Sequence, residues 1–429
     1  MVLSSNMFST FGKKLSRALK DGTLRNRIIF VLVALVAYRA LATIPIPGVN
    51  VFALENFFAN NEFLGLLNIL SGGGLANLSI VLLGVGPYIT SSIIMQLMTV
   101  VFPQIKAMQT EDGEAGRAKF TQWSRMLTVP FAVLQGIAFI FLLQSQGILE
   151  ALTPVLLVAN IAVVAAGSIF LMWVGELMTE YGIGNGISLI IFAGIVASLP
   201  TAISQAVFSF TPEQIPAYLG LGFVALAVVF AVVLVTEAER PIPITHAKQL
   251  RGKAAQVGSQ TYLPIRINQA GVIPIIFALS LLLVPQTVAN ITIALGGPGV
   301  SIMEFIVNGL ANQWVYGGLY FFFVVVFTYF YTAIIFEPTR VAENLQKSGA
   351  FIPGVRPGAQ TEEFLGKVAT RITLPGAVFL GLIAIVPIIV QGLTGISTLV
   401  IGGTALLIAV SVILDVVRKI DAQVSLNEY

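Results

Sequence analysis

The sequence predicts an all-α polytopic membrane protein with ten transmembrane helices, and three observations carry that prediction. The chain is 56% hydrophobic and 10% charged, with a mean hydropathy of +0.91, whereas soluble domains are about 25% charged. Its apolar residues gather into ten runs long enough to cross a hydrocarbon core of roughly 30 Å. Counting ten crossings also places 22 of the 23 Lys and Arg residues on one side.

The runs lie near 28–44, 76–102, 127–145, 155–175, 187–208, 217–236, 270–290, 316–336, 372–391 and 394–414. The last two are divided only by the Gly-Leu-Thr-Gly turn at 392–395. With so many runs, the first is not a cleaved signal peptide, whose apolar region is shorter and ends at a small-residue cleavage site. Basic residues cluster before run one (Lys13, Lys14, Arg17, Lys20, Arg25, Arg27) and between runs two and three (Lys106, Arg117, Lys119, Arg125). They recur after run six (Arg240, Lys248, Arg251, Lys253, Arg266), after run eight (Arg340, Lys347, Arg356, Lys367, Arg371) and in the tail (Arg418, Lys419). The opposite loops hold Glu55, Glu62, Glu150, Glu213 and Glu304 and no cation. The positive-inside rule therefore puts both termini in the cytoplasm. Arg39, near the outer end of run one, is read as snorkelling to the interface or pairing inside the bundle.

These boundaries divide the chain into an N-terminal segment, 1–27, and a first half, 28–208. An external loop at 209–216 leads to a second half, 217–414, and a tail at 415–429. Five runs per half give the second half the opposite orientation. Whether the halves form an inverted repeat is left open by the residues alone.

Much chemistry is absent. There is no cysteine and a single histidine, His246, so disulfides, thiol chemistry and Cys/His metal sites are excluded, and no cofactor or catalytic centre is expected. The glycine cluster GIGNGIS at 182–188 has neither the spacing nor the lysine of a phosphate-binding loop. The middles of the runs hold no Asp, Glu, Lys or His, which a coupled transporter or a charge-ring channel ordinarily carries. Polar Gln96, Gln135 and Gln286 serve equally well as interhelical hydrogen-bond partners or as functional groups. The long loops at 237–269 and 337–371 are rich in Pro, Gly and cations. They fit orientation, contact with anionic lipid, or docking of a large soluble partner, including one made of RNA. A short apolar piece, Phe63 to Leu70, stops at Gly72–Gly74, and at eight residues it rises only about 12 Å. It is too short to span and reads by itself as an interfacial helix.

Several stretches together resemble the SecY family of protein-conducting channel subunits: IPIPG (44–48), LSGGGL (70–75), GVGPYI (84–89) with IIMQL (93–97), and GIGNGISLIIFAGIVASLP (182–200). The resemblance continues through LPIRINQAGVIPIIFA (263–278), QKSGAFIPGVRPG (346–358) and GGTALLI (402–408), and runs from about residue 20 to 420. It implies two inverted five-helix halves closed like a clamshell around an hourglass pore. It further implies passage of unfolded preproteins across the bacterial cytoplasmic (inner) membrane, with sideways release of hydrophobic segments into lipid. The implied pore ring is Val85, Ile89, Ile187, Ile191, Ile276 and Ile408, with Val85 standing where the family often has isoleucine. By composition alone each is an ordinary apolar residue of a membrane helix.

The same resemblance makes the short apolar piece a plug, about 63–73, built on Phe63, Leu64, Leu66, Leu67, Ile69 and Leu70, with Gly72, Gly73 and Gly74 as its hinge. It implies a lateral gate between runs two and three and runs seven and eight, for which Thr90, Gln96, Gln135, Val284 and Gln286 are the candidates. The basic loops become a docking site for the SecA motor ATPase or for the ribosome and its RNA, through Arg356 and then Arg251 and Lys253. This chain reads RGK where two adjacent arginines often occur, which loosens the match at those two. SecE and SecG are the implied companion subunits, and preprotein signal sequences and membrane lipids the other implied contacts. A secondary transporter of a small solute and a structural membrane scaffold are the competing classes. Mid-span ionisable residues would have favoured the transporter.

Overall fold

A computed structural model describes residues 21–47, 74–75, 77–110, 112–145, 147–149, 153–208, 215–246, 260–294, 300–394 and 398–427. Over these residues the chain is mostly helical, and each of the ten apolar runs contains a helical stretch. The first half comprises α1 (Gly22–Leu41), α2 (Gly86–Val101), α3 (Pro103–Thr110), α4 (Gly113–Ser145), α5 (Pro154–Tyr181) and α6 (Gly186–Phe208). The second comprises α7 (Ile215–Glu237), β1 (Glu239–His246), β2 (Gln260–Arg266), α8 (Ile273–Ala294), α9 (Val300–Ala311), α10 (Gln313–Ile335), α11 (Pro338–Lys347), β3 (Ala350–Phe351), α12 (Ala359–Thr394) and α13 (Thr398–Asn427).

Among the described residues four stretches are long and apolar enough to cross a membrane: Gly113–Gln144, Pro154–Tyr181, Gln313–Lys347 and Ala359–Val390. A fifth arises if α2 and α3, bent by 110° at Phe102, count as one. Helix ends follow local chemistry. Thr153 accepts the Leu156 N–H at 3.4 Å and Pro154 opens α5. Asn312 accepts the Trp314 N–H at 3.0 Å at the start of α10, and α10 stops just before Pro338.

Three expectations need correction. Run two does not begin as helix at 76: the described residues up to Val85 form turns, with Leu78 at φ 41° and Gly84 at φ 55°, and α2 starts at Gly86. Apolar content there reflects burial rather than a helical span, since Leu75, Leu78, Leu82 and Leu83 pack with Phe139, Ile140 and Leu143 of α4. The class is not purely all-α, because the basic loops pair into a three-stranded sheet of order β2–β1–β3. Pro241, Pro243 and Pro264 argue against strands, but β3 covers β1 only at Thr245 and His246, so among the described residues no strand pairs with that edge beside Pro241 and Pro243. Alternating Ile242, Ile244 and Ile265 are buried, as a one-faced sheet requires. Third, α4 and α12 begin about four turns before the apolar runs they contain. Their first turns are polar and stand clear of the apolar stretch.

Helix contacts in the two halves correspond. The first half packs α1–α5, α1–α6, α2–α4, α2–α5, α4–α5 and α5–α6; the second packs α7–α12, α7–α13, α8–α10, α8–α12, α10–α12 and α12–α13. Replacing α1, α2, α4, α5 and α6 by α7, α8, α10, α12 and α13 turns one set into the other. The halves meet along two seams, α8 against α2 and α4, and α6 against α13.

Candidate functional site: an aliphatic constriction between the halves

All six predicted ring residues belong to the large core that the two halves share. Val85, Ile89, Ile191, Ile276 and Ile408 are buried in one hydrophobic cluster, and Ile187 packs against it. They come from four elements, two per half: α2 with the residue that precedes it, α6, α8 and α13.

Val85, Ile187 and Ile276 are each held by a local device. Val85 follows Gly84, whose positive φ makes the turn and whose carbonyl accepts the buried Ser168 hydroxyl at 2.8 Å. Gly167 lets α5 approach this segment, since a Cβ there would run into the Ile80 carbonyl. Ile187 opens α6 behind the cap Asn185, whose Oδ1 accepts the N–H groups of Ile187 and Ser188 at 3.0 and 3.3 Å. The Gly186 N–H donates to Thr179 Oγ1 at 2.9 Å, and a Cβ on Gly186 would strike the Gly175 carbonyl. The GIGNGIS cluster is therefore a packing turn that aims α6 at the axis. Ile276 follows the turn closed by Asn268 Nδ2 on the Gly271 carbonyl at 3.2 Å, with Gly271 at φ 62°.

A cavity of about 440 Å³ leads away from the cluster. Ile89, Ile187, Ile191 and Ile276 line one part, while Arg125, Glu176, Glu180 and Asn185 line another. Arg125 and Glu176 form an ion pair at 2.7 Å between α4 and α5. This polar part is lined by Arg125 of α4, by Glu176 and Glu180 in the last turns of α5, and by Asn185, the cap of α6. Aliphatic groups offer no fixed charge to bind an ion, and a narrow apolar ring gates by dewetting.

The gate candidates are distributed less simply. Gln135 Nε2 lies 3.5 Å from Thr90 Oγ1, joining α4 to α2 on the same side of the seam. Gln96 lines the cavity, with its Oε1 buried and without a hydrogen-bond partner. Val284 is partly exposed on α8, and the Gln286 side chain lies outside the described residues. Arg39 is half-buried with Nη1 unpartnered.

Among the docking candidates, Arg356 is exposed in the turn between β3 and α12, where its carbonyl accepts Thr361 Oγ1 at 2.9 Å. The sheet below it has its own core of Ile242, Ile265, Ile352, Leu365, Val368 and Ile372, so the two basic loops form one unit. On α12, Lys367 sits 2.6 Å from Glu363 and holds its carboxyl below the usual range through a hydrogen bond and its charge. Arg251 and Lys253 lie outside the described residues, as do plug residues Phe63 to Leu70, Gly72 and Gly73. Gly74 is described: it is buried, its carbonyl accepts the N–H and hydroxyl of Ser79 at 2.9 and 3.0 Å, and a Cβ would meet the Val81 carbonyl at 2.7 Å.

Ser168, Gly167 and Thr179 were missed by sequence reasoning, because nothing marks a small residue in a membrane helix as a support. Asn185, two residues before Ile187, was readable as a helix cap.

Comparison with known proteins places this arrangement. The fold matches a solved structure of a protein conducting channel with a TM-score of 0.68 and 20% identity, over 94% of this chain and 93% of that one. It also matches the channel of the canine ribosome-channel complex from the endoplasmic reticulum, with a TM-score of 0.65 and 19% identity over the same shares. The architecture is thus that of the protein-conducting channels. In sequence, the chain is 38% identical to the protein translocase subunit SecY of Streptomyces coelicolor, over 96% of this chain and 98% of that one. Against the SecY of Thermotoga maritima it is 41% identical, over 96% and 95%. The SecY family model matches residues 79–417, and the chain belongs to the SecY family.

Proposed function

We propose that this protein is the channel subunit of a protein translocase, passing unfolded preproteins through the aliphatic constriction and releasing hydrophobic segments sideways into lipid. The observation that supports this reading is that Ile89, Ile187, Ile191 and Ile276, from both halves, line the apolar part of a cavity with a polar mouth, and that Val85 and Ile408 are buried in the same core. A collar without charge fits loosely around an extended chain of any sequence and closes against ions when empty. The relatives are translocase subunits, and nothing in them favours a small-solute transporter.

The ten apolar helices are read as spans in two inverted halves, 28–208 and 217–414, hinged at 209–216 and closed as a clamshell around an hourglass pore. The matching contact pattern of the halves supports this. The basic loops then face the cytoplasm with both termini, in the inner membrane of a bacterium. The seam of α8 against α2 and α4 is the lateral gate. Residues 63–73 are read as the plug, with Gly72, Gly73 and Gly74 as its hinge. The chain carries no nucleotide-binding motif, so the driving energy comes from a partner. The exposed turn at Arg356 on the sheet, with Arg251 and Lys253, is the docking face for SecA or the ribosome, and SecE and SecG complete the complex.

The test is reconstitution into vesicles with SecE, SecG, SecA, ATP and a secretory preprotein. Preprotein protected from external protease is the expected result. Small-solute uptake without protected preprotein overturns the proposal.

A further inference from the structure

The seam between the halves carries a polar contact that the constriction does not need. Arg340 is the third residue of α11, which continues α10 beyond Phe336 and Glu337. Its Nη2 donates to the main-chain carbonyl of Thr110, the last residue of α3, which hangs between α2 and α4. The donor belongs to the second half and the acceptor to the first. A cavity of about 930 Å³ lies beside this contact, lined from the first half by Val100, Lys106 and Arg117 and from the second by Phe330, Ile335 and Arg340. Here the two sides of the gate stand apart, and Arg340 reaches across.

The chemistry suits a tie that breaks and re-forms. The last carbonyls of a helix lack intrahelical donors and carry the negative end of its dipole, so a guanidinium is a favoured partner. The planar fork of arginine serves two acceptors at once. Nε of Arg340 sits 3.0 Å from Glu337 Oε2 while Nη2 holds Thr110. Glu337 and Arg340 lie on the same side of the seam, so parting the halves breaks the Thr110 bond and leaves the cation paired. Its side chain is 48% exposed, so solvent screens the bond and it sets a threshold rather than a lock. Helix α11 also packs on α12 and on β3, so Arg340 stands on a helix joined to the sheet.

We infer that Arg340 is a tie across the basic mouth of the lateral gate, and that breaking it sets how apolar a segment must be before the gate releases it into lipid. The inference rests on the gate reading given above.

The test uses the reconstituted complex and a series of 19-residue Leu/Ala segments, scored for release into lipid against translocation. Arg340→Gln is expected to move the midpoint to fewer leucines. At the wild-type midpoint it raises the ratio of released to translocated segment about threefold, equal to about 0.7 kcal/mol. Arg340→Lys, which keeps the charge and loses the fork, falls between the two. Glu337→Gln leaves Arg340 to Thr110 alone and does not lower the midpoint. An unchanged midpoint in Arg340→Gln overturns the tie. An equal lowering by Glu337→Gln also overturns it, because general loosening then explains both. A wild-type curve that stays flat at every leucine content fells the gate reading itself and the tie with it.

Discussion

The proposed constriction draws aliphatic side chains from both halves, whereas the three-stranded sheet comes wholly from the second half and presents cations on a hydrogen-bonded frame. The constriction offers a passing chain no hydrogen bond and no charge. The sheet has a core of its own, and its exposed Arg356 stands on a turn fixed by Gly354 at φ 83° and Gly358 at φ 97°. In the proposed function, one region ignores the sequence of what it meets and the other recognises it. Helix α8 joins them, leaving the sheet at β2 and carrying Ile276 into the constriction three residues after it begins. A partner docked at the sheet, as proposed, would therefore act on the helix that carries Ile276 and forms the seam.

The largest expected effect breaks the recognising side. Arg356→Glu abolishes SecA-driven translocation in vesicles while the protein stays inserted and folded, because reversing an exposed charge disturbs a partner and not a core. Normal translocation by this variant removes Arg356 from the docking face. Next comes the indifferent side. Ile408→Asn or Ile191→Asn places an amide in a ring whose residues are 0% and 1% exposed. Burying an unpaired polar group costs about 1–3 kcal/mol, and the amide wets the seal. Ion flux through the resting channel rises and acceptance of weak signal sequences widens; unchanged leak and substrate range remove that residue from the ring.

Deleting 63–73 raises resting ion leak by a smaller factor, since the ring remains. A deletion as tight as wild type assigns the seal to the ring alone. The smallest effect belongs to Ser168→Ala, which removes the 2.8 Å hydrogen bond to Gly84 and costs about 1 kcal/mol. A slight fall in thermal stability with a slight rise in leak is expected, and a leak as large as that of Ile408→Asn contradicts a purely supporting role.

The comparison also explains what the sequence made legible. Long apolar runs announce their helices, and cations sorted to one side announce their order. Which aliphatic residue faces the axis is not written locally. Ile408 is buried and Leu226 is 72% exposed, yet both are branched aliphatics in apolar helices, and only resemblance to a family told them apart. The turns at 77–85 misled because leucines buried in a turn look like leucines in a span; Gly84 was the one local signal. The sheet was hidden by its prolines, which are tolerated because, among the described residues, no strand pairs with that edge of β1. Amphipathic α9, with Phe305 78% exposed, was read as loop because it is too short to register as a span. Arg340 gave no signal beyond its charge, since its partner is a main-chain carbonyl 230 residues away.

The central claim is that the polypeptide path runs through the aliphatic ring. Its most direct measurement places a photo-crosslinking residue in turn at Ile89, Ile191, Ile276 and Ile408, and at the outward-facing Leu226 of α7, in vesicles holding an arrested preprotein. The account predicts crosslinks to the preprotein from all four ring positions and none from Leu226. Crosslinks missing from the ring while translocation proceeds would contradict it.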